Sequence, residues 1–142
     1  PGLWADIRAD PGLIPNAVEE ILRFNSPQTS WRRVAVEDSE LAGYQIPAGT
    51  QIFLSLGSAN HDEALFDHPG IFDIHRANAR AHIAFGRGIH FCLGNRLAIA
   101  EAQIAFETLA VEMPGLSLVA GQSFEFVPNF TFRGPKELWL TW

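Results

Sequence analysis

The stretch that decides the fold is Phe85-Gly86-Arg87-Gly88-Ile89-His90-Phe91-Cys92-Leu93-Gly94, which contains the only cysteine of the chain. A lone thiol cannot form an intrachain disulfide or supply a multi-cysteine zinc site. The glycines around it allow the backbone to turn tightly and to approach a bound group closely. A long helical pattern begins near Leu93, so the positive end of that helix faces the sulfur and favours negative charge there. The segment therefore predicts a thiolate presented from a loop.

This thiolate could form a single bond to a metal ion whose other ligands come from a bound cofactor. With His90 two residues before the cysteine, the pattern favours one axial bond to a haem iron. The segment resembles the haem-binding loop of the cytochrome P450 family, Phe-Gly-x-Gly-x-His-x-Cys-x-Gly, and every fixed position is matched. The resemblance extends from about Leu13 to the end of the chain. A buried structural cysteine beside a turn is the alternative interpretation, and the complete motif argues against it.

Length and composition describe a globular chain with material for one hydrophobic core. It has 142 residues, of which 47% are hydrophobic, and a formal net charge of −6. The acidity argues against a nucleic-acid partner, because phosphate binding needs a basic patch. No apolar run approaches the roughly 18 residues of a membrane span, and no leader pattern is visible. A single free cysteine suits a reducing cytoplasm.

The pattern along the first part of the chain predicts one helix followed by a small antiparallel sheet. Residues 1–14 are interpreted as a turn-rich segment, because Pro11-Gly12 breaks regular structure. A helix is expected from Pro15, a favourable residue in a first helical turn, to about Phe24, with Pro27 beyond its end. Alternating apolar residues between 32 and 54 predict strands joined by turns. One or two helical turns are expected at 56–61.

The second part is predicted to hold an irregular meander, a long helix and short strands. Residues 61–82 are rich in Asp, His, Pro and Asn, and long loops of this kind are usually functional. The longest helix is expected from about Leu93 to Glu112, and its apolar side is formed by residues at helical spacing, Leu93, Leu97, Ala100, Ile104 and Val111. The tail alternates in 116–119, 124–127 and 138–142, which suggests strands. The expected class is mainly α with small antiparallel β-sheets (α+β).

The resemblance implies which residues contact haem b, iron protoporphyrin IX. Cys92 would be the axial iron ligand, and Phe85, Gly86 and Gly94 would shape and shield its loop. His90 and Arg33 would bind the haem propionates, since partly buried carboxylates need cationic or N–H donors. Arg32 would take the place of Arg33 if the register were shifted by one residue. His82, just before the loop, is a further propionate candidate, with a locally hydrogen-bonded loop histidine as its alternative role.

The resemblance also implies a structural charge cluster. Glu20 and Arg23 form Glu-x-x-Arg on the first predicted helix, the family's buried salt-bridge motif. Its third member is usually an arginine in the meander, and Arg76 is the candidate here. The family's alternative position for this arginine falls in Pro69-Gly70-Ile71-Phe72, where no arginine occurs.

Two further surfaces are implied by the resemblance. Residues 27–31 and 129–133 correspond to substrate-pocket segments, in which Trp31 and Phe130 would be walls. In the family, one face of the protein receives the electron donor, and Arg87 and Arg96 would lie on that face. An acidic ferredoxin or similar protein is therefore an expected partner.

Together these features predict the C-terminal, haem-ligating part of a cytochrome P450 domain, occupying residues 1–142 and lacking the N-terminal part and the central helix. The whole protein would be a haem-thiolate monooxygenase, an oxidoreductase that inserts one oxygen atom of O2 into a small organic substrate. Alone, these residues would not turn over substrate, because the central helix carries the acid–alcohol pair for proton delivery. Three alternatives remain: a non-catalytic cytochrome P450-like partner, a redox- or gas-sensing haem protein, and an inactive truncated product.

Overall fold

The computed structural model describes residues 2–142. Within them the helices are α1 Gly2–Ala9, α2 Ile14–Phe24, α3 Leu56–Ala59 and α4 Asn95–Glu112. The strands are β1 Ser30–Val34, β2 Ser39–Leu41, β3 Tyr44–Ile46, β4 Gln51–Ser55, β5 Ser117–Leu118 and β6 Leu140–Thr141. Short 3-10 turns occupy Pro11–Leu13, Ala79–Ala81 and Gly88–His90. The predicted class, mainly α with small antiparallel sheets, is confirmed.

The core lies where α1, α2 and one side of α4 meet the meander. Its buried members come from α1, α2 and the meander, namely Ile7, Ile14, Ala17, Val18 and Ile74. From α4, Ile99, Ala102 and Phe106 pack against this cluster. Burying an aliphatic side chain of this size stabilises a fold by about 1.5–3 kcal/mol. These apolar contacts therefore hold α1, α4 and the meander against α2.

Helix α1 corrects the expectation of a turn-rich first segment. Ile7 is buried, and the Trp4 ring lies 6.5 Å from the Phe106 ring of α4, between ring centroids. Because Trp4 and Ile7 are three positions apart, they lie on the same face of α1, and this face packs on α4. The Pro11-Gly12 breaker acts only after the helix has ended, where the Asp10 carboxylate accepts a hydrogen bond from the Gly12 N–H.

The predicted small sheet is present as two separate ribbons. β1 pairs antiparallel with β4, with Arg33 opposite Ile52, and β2 forms a hairpin with β3. The hairpin turn places Ala42 and Gly43 at positive φ, as tight hairpin turns require. In the tail, β5 pairs with β6. The strand expected at 124–127 is reduced to one isolated bridge, between Phe126 and Pro135.

Helix α4 packs with a side that the sequence pattern did not indicate. Leu97, Ile104 and Val111 are exposed, although their spacing predicted the apolar packing side. The residues that face the core are Ile99 and Phe106, on the other side of the helix. α4 is apolar around much of its circumference, so periodicity alone does not identify its buried face.

The meander keeps the irregular form expected of it, with the 3-10 turn at Ala79–Ala81 as its one helical turn between α3 and the haem-loop segment. Its order comes from hydrogen bonds of two arginine side chains, Arg23 on α2 and Arg76 in the meander itself. No helix among the described residues is both long and apolar enough to cross a membrane.

Candidate haem-ligating site

The loop that carries Cys92 is folded back on itself by backbone hydrogen bonds. The Cys92 N–H donates to the Phe85 carbonyl at 3.0 Å, and the Phe91 N–H donates to the Gly88 carbonyl at 3.0 Å. Gly86 and Gly88 have φ of 74° and 70°, a left-handed conformation that glycine adopts without strain. The loop thus presents an exposed, free thiol at its end.

The chain passes from Cys92 directly into α4. The Cys92 carbonyl accepts hydrogen bonds from the Asn95 side-chain amide at 2.6 Å and from the Asn95 backbone N–H at 3.3 Å. The sulfur therefore lies next to the N-terminal end of an 18-residue helix, where free backbone N–H groups and the helix dipole favour negative charge. Gly94 leaves space beside the sulfur, because a Cβ on it would lie 3.9 Å from Sγ.

Aromatic rings support the loop from behind. The Phe85 ring packs edge-on against Phe91, with 6.5 Å between centroids, and lies 6.0 Å from the His82 ring. Phe85 also supplies the carbonyl that binds the Cys92 N–H. This phenylalanine therefore joins the beginning of the loop to its end.

Arg33 and His90, the predicted propionate partners, lie on different elements. Arg33 is on β1, half-buried, with one guanidinium N–H bonded to the Arg32 carbonyl at 2.9 Å, and His90 is exposed in the Gly88–His90 turn. Because side chains alternate along a strand, Arg33 shares the face of β1 that carries Trp31, whereas Arg32 is on the opposite face. Arg33 and Arg32 therefore lie on opposite faces of the β1–β4 ribbon.

The two predicted pocket segments are bonded to each other. The Thr29 N–H donates to the Thr131 carbonyl at 2.7 Å, and the Ser30 hydroxyl donates to the Phe130 carbonyl at 2.6 Å. The side chain of Phe130 is exposed, as is much of Trp31. Both aromatic side chains are therefore held on adjoining backbone and are free to contact a ligand.

His82 has partners inside the protein that replace the predicted propionate contact. Its Nε2 lies 3.0 Å from Glu19 Oε2, and its Nδ1 accepts the Ala84 N–H at 3.1 Å. Because an amide N–H can only donate, Nδ1 is unprotonated and the ring proton is on Nε2, where it bonds Glu19. With both nitrogens engaged and 5% of the side chain exposed, His82 has no atom left for a propionate.

The structure brings Glu20, Arg23 and Arg76 into one buried cluster. Arg23 forms two parallel bonds to Glu20, from Nε to Oε2 at 2.7 Å and from Nη2 to Oε1 at 2.8 Å. Arg76 Nε lies 3.2 Å from the same carboxylate. The side chains of Glu20 and Arg23 are wholly inaccessible to solvent. Such a cluster is stabilising only when its hydrogen-bonding capacity is satisfied.

Backbone carbonyls in and next to the meander accept the remaining hydrogen bonds of the two arginines. The Nη1 of Arg23 bonds the carbonyls of Asn60 and Pro69, both at 2.9 Å, and Nη2 bonds the Ile71 carbonyl at 3.1 Å. Arg76 bonds three carbonyls in the same region, those of Asp67, His68 and Ile71. The two guanidinium groups thus take the place of secondary structure in holding the meander.

The charge state of Glu20 follows from these contacts. Burial alone would raise its pKa, but hydrogen bonds from Arg23, from the Asp73 backbone N–H and from Arg76 outweigh burial and hold the pKa below its ordinary value. Glu20 is therefore ionised in the folded protein over the whole neutral range. In His82 the balance runs the other way, because burial lowers its pKa more than Glu19 raises it.

The residues around Cys92 fit a haem. The donor set at the loop is one exposed thiol in front of a helix N-terminus, with the exposed His90 two residues before it and the packed rings of Phe85 and Phe91 beside it. A glycine stands beside the sulfur, where a Cβ would come into van der Waals contact with it. Cys92 would hold the iron of a haem through its sulfur, and the haem would supply the redox chemistry.

Two residues on which this region depends have partners that sequence reasoning did not identify. Glu19 pairs with His82, and the Asn60 side chain accepts the Ile83 N–H at 2.8 Å while donating to the Ser26 hydroxyl at 2.8 Å. No local signal distinguishes Glu19 from its neighbour Glu20, because their partners lie in distant segments. For Asn60, complete burial of an amide is the signal, and it is visible only in the structure.

Comparison with known proteins places the chain in a family. Residues 7–110 match the family described as Cytochrome P450. Pentalenic acid synthase of Streptomyces avermitilis is 47% identical over 143 residues, covering 100% of this chain and 35% of that protein. Steroid C26-monooxygenase of Mycobacterium tuberculosis is 43% identical over 120 residues, covering 84% of this chain and 30% of that protein. The solved structure of cytochrome P450 CREJ matches with a TM-score of 0.95 and 46% identity, over 100% of this chain and 35% of that one.

The chain spans about a third of the length of the curated relatives that it matches. Within that span the similarity is continuous, and the family match runs from α1 almost to the end of α4. Both the sequence identities and the backbone similarity include the Cys92 loop. The chain therefore belongs to the cytochrome P450 family.

Proposed function

We propose that this chain supplies the iron ligand and propionate contacts of a haem-thiolate monooxygenase. The observation that carries the proposal is the exposed Cys92 thiol, held by the Phe85 carbonyl in front of α4. Membership of the cytochrome P450 family supports it, as does a relative named as a monooxygenase. The protein would be an oxidoreductase that inserts one oxygen atom of O2 into an organic substrate.

In this proposal Cys92 is the axial ligand, and the bound haem b supplies the oxygen chemistry under the electron-donating push of the thiolate. The protein's task at the sulfur is positional and electrostatic. The Cys92 N–H is already bonded to Phe85, which fixes the direction of the side chain, and the start of α4 stabilises the negative sulfur. Phe85 and Phe91 pack edge-on against each other within the loop, with 6.5 Å between ring centroids.

Arg33 and His90 would anchor the haem propionates in this arrangement. An arginine forms strong paired bonds to a carboxylate, and a neutral or charged histidine can donate one bond. Arg33 comes from β1 and His90 from the cysteine loop, so the two anchors would connect the haem edge to separate parts of the chain. Neither anchor would take part in the reaction itself.

Substrate and electrons would approach from different sides. Trp31 and Phe130 lie on bonded segments and would form part of the wall of a pocket for a small organic molecule. Arg87 and Arg96 are exposed beside the loop and the start of α4, where a ferredoxin or similar acidic protein would dock to deliver electrons. The single free cysteine is compatible with a cytoplasmic protein.

The test is the absorption spectrum of the reduced, carbon monoxide-bound, haem-loaded protein, with Cys92→Ala beside it. A strongly red-shifted Soret band that the mutation abolishes would support thiolate ligation. Uptake of haem with an unshifted band that Cys92→Ala leaves unchanged would refute it. A non-catalytic partner or sensor would show the shifted band without substrate-dependent consumption of O2, so oxygen uptake by the whole protein with a panel of organic substrates distinguishes these functions.

A further inference from the structure

We propose that Glu19 and His82 are positioning residues for the cysteine ligand, and that they act through Ala84 and Phe85. This inference rests on the proposed function, since it concerns how the Cys92 sulfur is held for iron. It assigns a role to a buried hydrogen-bonded pair whose histidine lies ten residues before the cysteine, outside the loop motif itself.

The pair ties the beginning of the loop to α2. Glu19, on α2, accepts the Nε2 proton of His82 at 3.0 Å, and the Nδ1 of His82 accepts the Ala84 N–H at 3.1 Å. The neighbouring N–H of Ile83 is held by the buried Asn60 side chain at 2.8 Å. Two consecutive amides just before Phe85 are therefore fixed by buried side chains rather than by secondary structure.

Phe85 connects these two fixed amides to the residue that carries the sulfur. Its ring packs on His82 and on Phe91, and its carbonyl accepts the Cys92 N–H. A displacement of Ala84 would move the Phe85 carbonyl and with it the direction of the Cys92 side chain. Residues that orient a metal ligand from outside in this way typically change metal affinity or activity by about 10–100-fold when they are replaced.

The link works only with a neutral His82. A protonated ring carries a hydrogen on Nδ1, which would face the Ala84 N–H, so two donors would meet and the bond would be lost. The charged groups that face this ring are Glu19, Glu20 and, through Glu19, the largely exposed Arg80 at 3.6 Å. Burial lowers the pKa of His82, which preserves the neutral form at neutral pH, while the carboxylate of Glu19 opposes this effect.

The test uses the reduced, carbon monoxide-bound form of the haem-loaded protein. It measures the ratio of the complex with a thiolate ligand to the complexes without one, from pH 8 downward. His82→Gln keeps a donor where Nε2 reaches Glu19 but lacks the acceptor for Ala84, whereas His82→Asn places an acceptor close to the position of Nδ1. We expect His82→Gln to lower the ratio at neutral pH by about 10-fold. His82→Asn should retain more of it.

The pH profile separates positioning from simple stability. In the unmodified protein the ratio should fall once His82 becomes protonated, which burial shifts to a pH below the ordinary histidine range. Glu19→Gln removes the charge that raises the pKa of His82, so the midpoint of this fall should move to lower pH. In His82→Asn this part of the profile should vanish, and in the control His75→Asn, at an exposed meander histidine, it should persist.

Unchanged ratios and unchanged pH profiles in Glu19→Gln, His82→Gln and His82→Asn would overturn the inference, even if the variants were less stable. Should His82→Gln fail to fold, the midpoint shift in the nearly isosteric Glu19→Gln variant still decides the matter. Failure of the proposed function has a different signature: the unmodified protein itself would show no red-shifted band, and the inference would fall with it.

Discussion

Two adjacent carboxylates on α2 allow the buried charge cluster to be tested against an internal control. Glu20→Gln removes the negative charge that lies between Arg23 and Arg76 and leaves two guanidinium groups inside the protein without a counterion. Breaking a buried pair in this way typically lowers the free energy of unfolding by about 3–5 kcal/mol. Glu19→Gln is isosteric as well, but its partner is a neutral imidazole whose bond the new amide oxygen can still accept, so the loss should stay below about 1.5 kcal/mol.

Urea denaturation of the haem-loaded protein, followed by circular dichroism, measures this difference. With an m-value of about 2 kcal/mol/M, Glu20→Gln should lower the midpoint by roughly 2 M and Glu19→Gln by well under 1 M. Equal midpoints for the two variants would refute the reasoning, because they would show that the Glu20 charge contributes nothing beyond an ordinary hydrogen bond.

Three further predictions follow from the site. Because the contacts of Glu20 lower its pKa in the folded state, their contribution to stability is complete above its unfolded-state pKa and is lost as pH falls through the folded value, so the acid limb of a stability–pH curve should be shallower in Glu20→Gln. Gly86→Ala places a side chain at a φ of 74° and should cost about 1–2 kcal/mol in thermal unfolding, whereas Gly70→Ala, at an open position of ordinary φ, should not destabilise. In haem titrations Arg33→Leu should weaken binding by about 10-fold or more, while Arg32→Leu, on the other face of β1, should bind haem as the unmodified protein does. Equal effects of the two arginine variants would contradict the propionate assignment.

The haem loop was predictable because its information is local. Glycines, the cysteine and the helix that follows lie within a few residues of one another, and each has a conformational or chemical reason to be there. Helix α2 was predictable for a similar reason, since the apolar positions Val18 and Ile21 recur at helical spacing and Pro15 lies in its first turn. For such segments the sequence and the structure report the same physical preference.

The remaining features depend on partners that lie far along the chain. Helix α1 has only Trp4 and Ile7 to mark its packing side, and their partner Phe106 is about a hundred residues away. Nothing near His82 indicates that its partner is Glu19, 63 residues earlier, rather than a haem propionate. On α4, apolar residues occur on both sides of the helix. Its packing face is therefore determined by contacts with α2 and the meander, which the sequence of α4 does not reveal.

Order in the meander and docking of α2 are one cooperative event. The bonds from Arg23 to Asn60, Pro69 and Ile71 join residues 37, 46 and 48 positions apart, so none of them can form while the segment is still flexible. Conversely, opening the meander would expose the ion cluster and strip several carbonyls of their donors at once. Local opening of this stretch therefore disrupts the contacts around α2 as well, and its hydrogen-bonded amides, such as those of Phe66, Ile71 and Arg76, should exchange with solvent only when this part of the core opens.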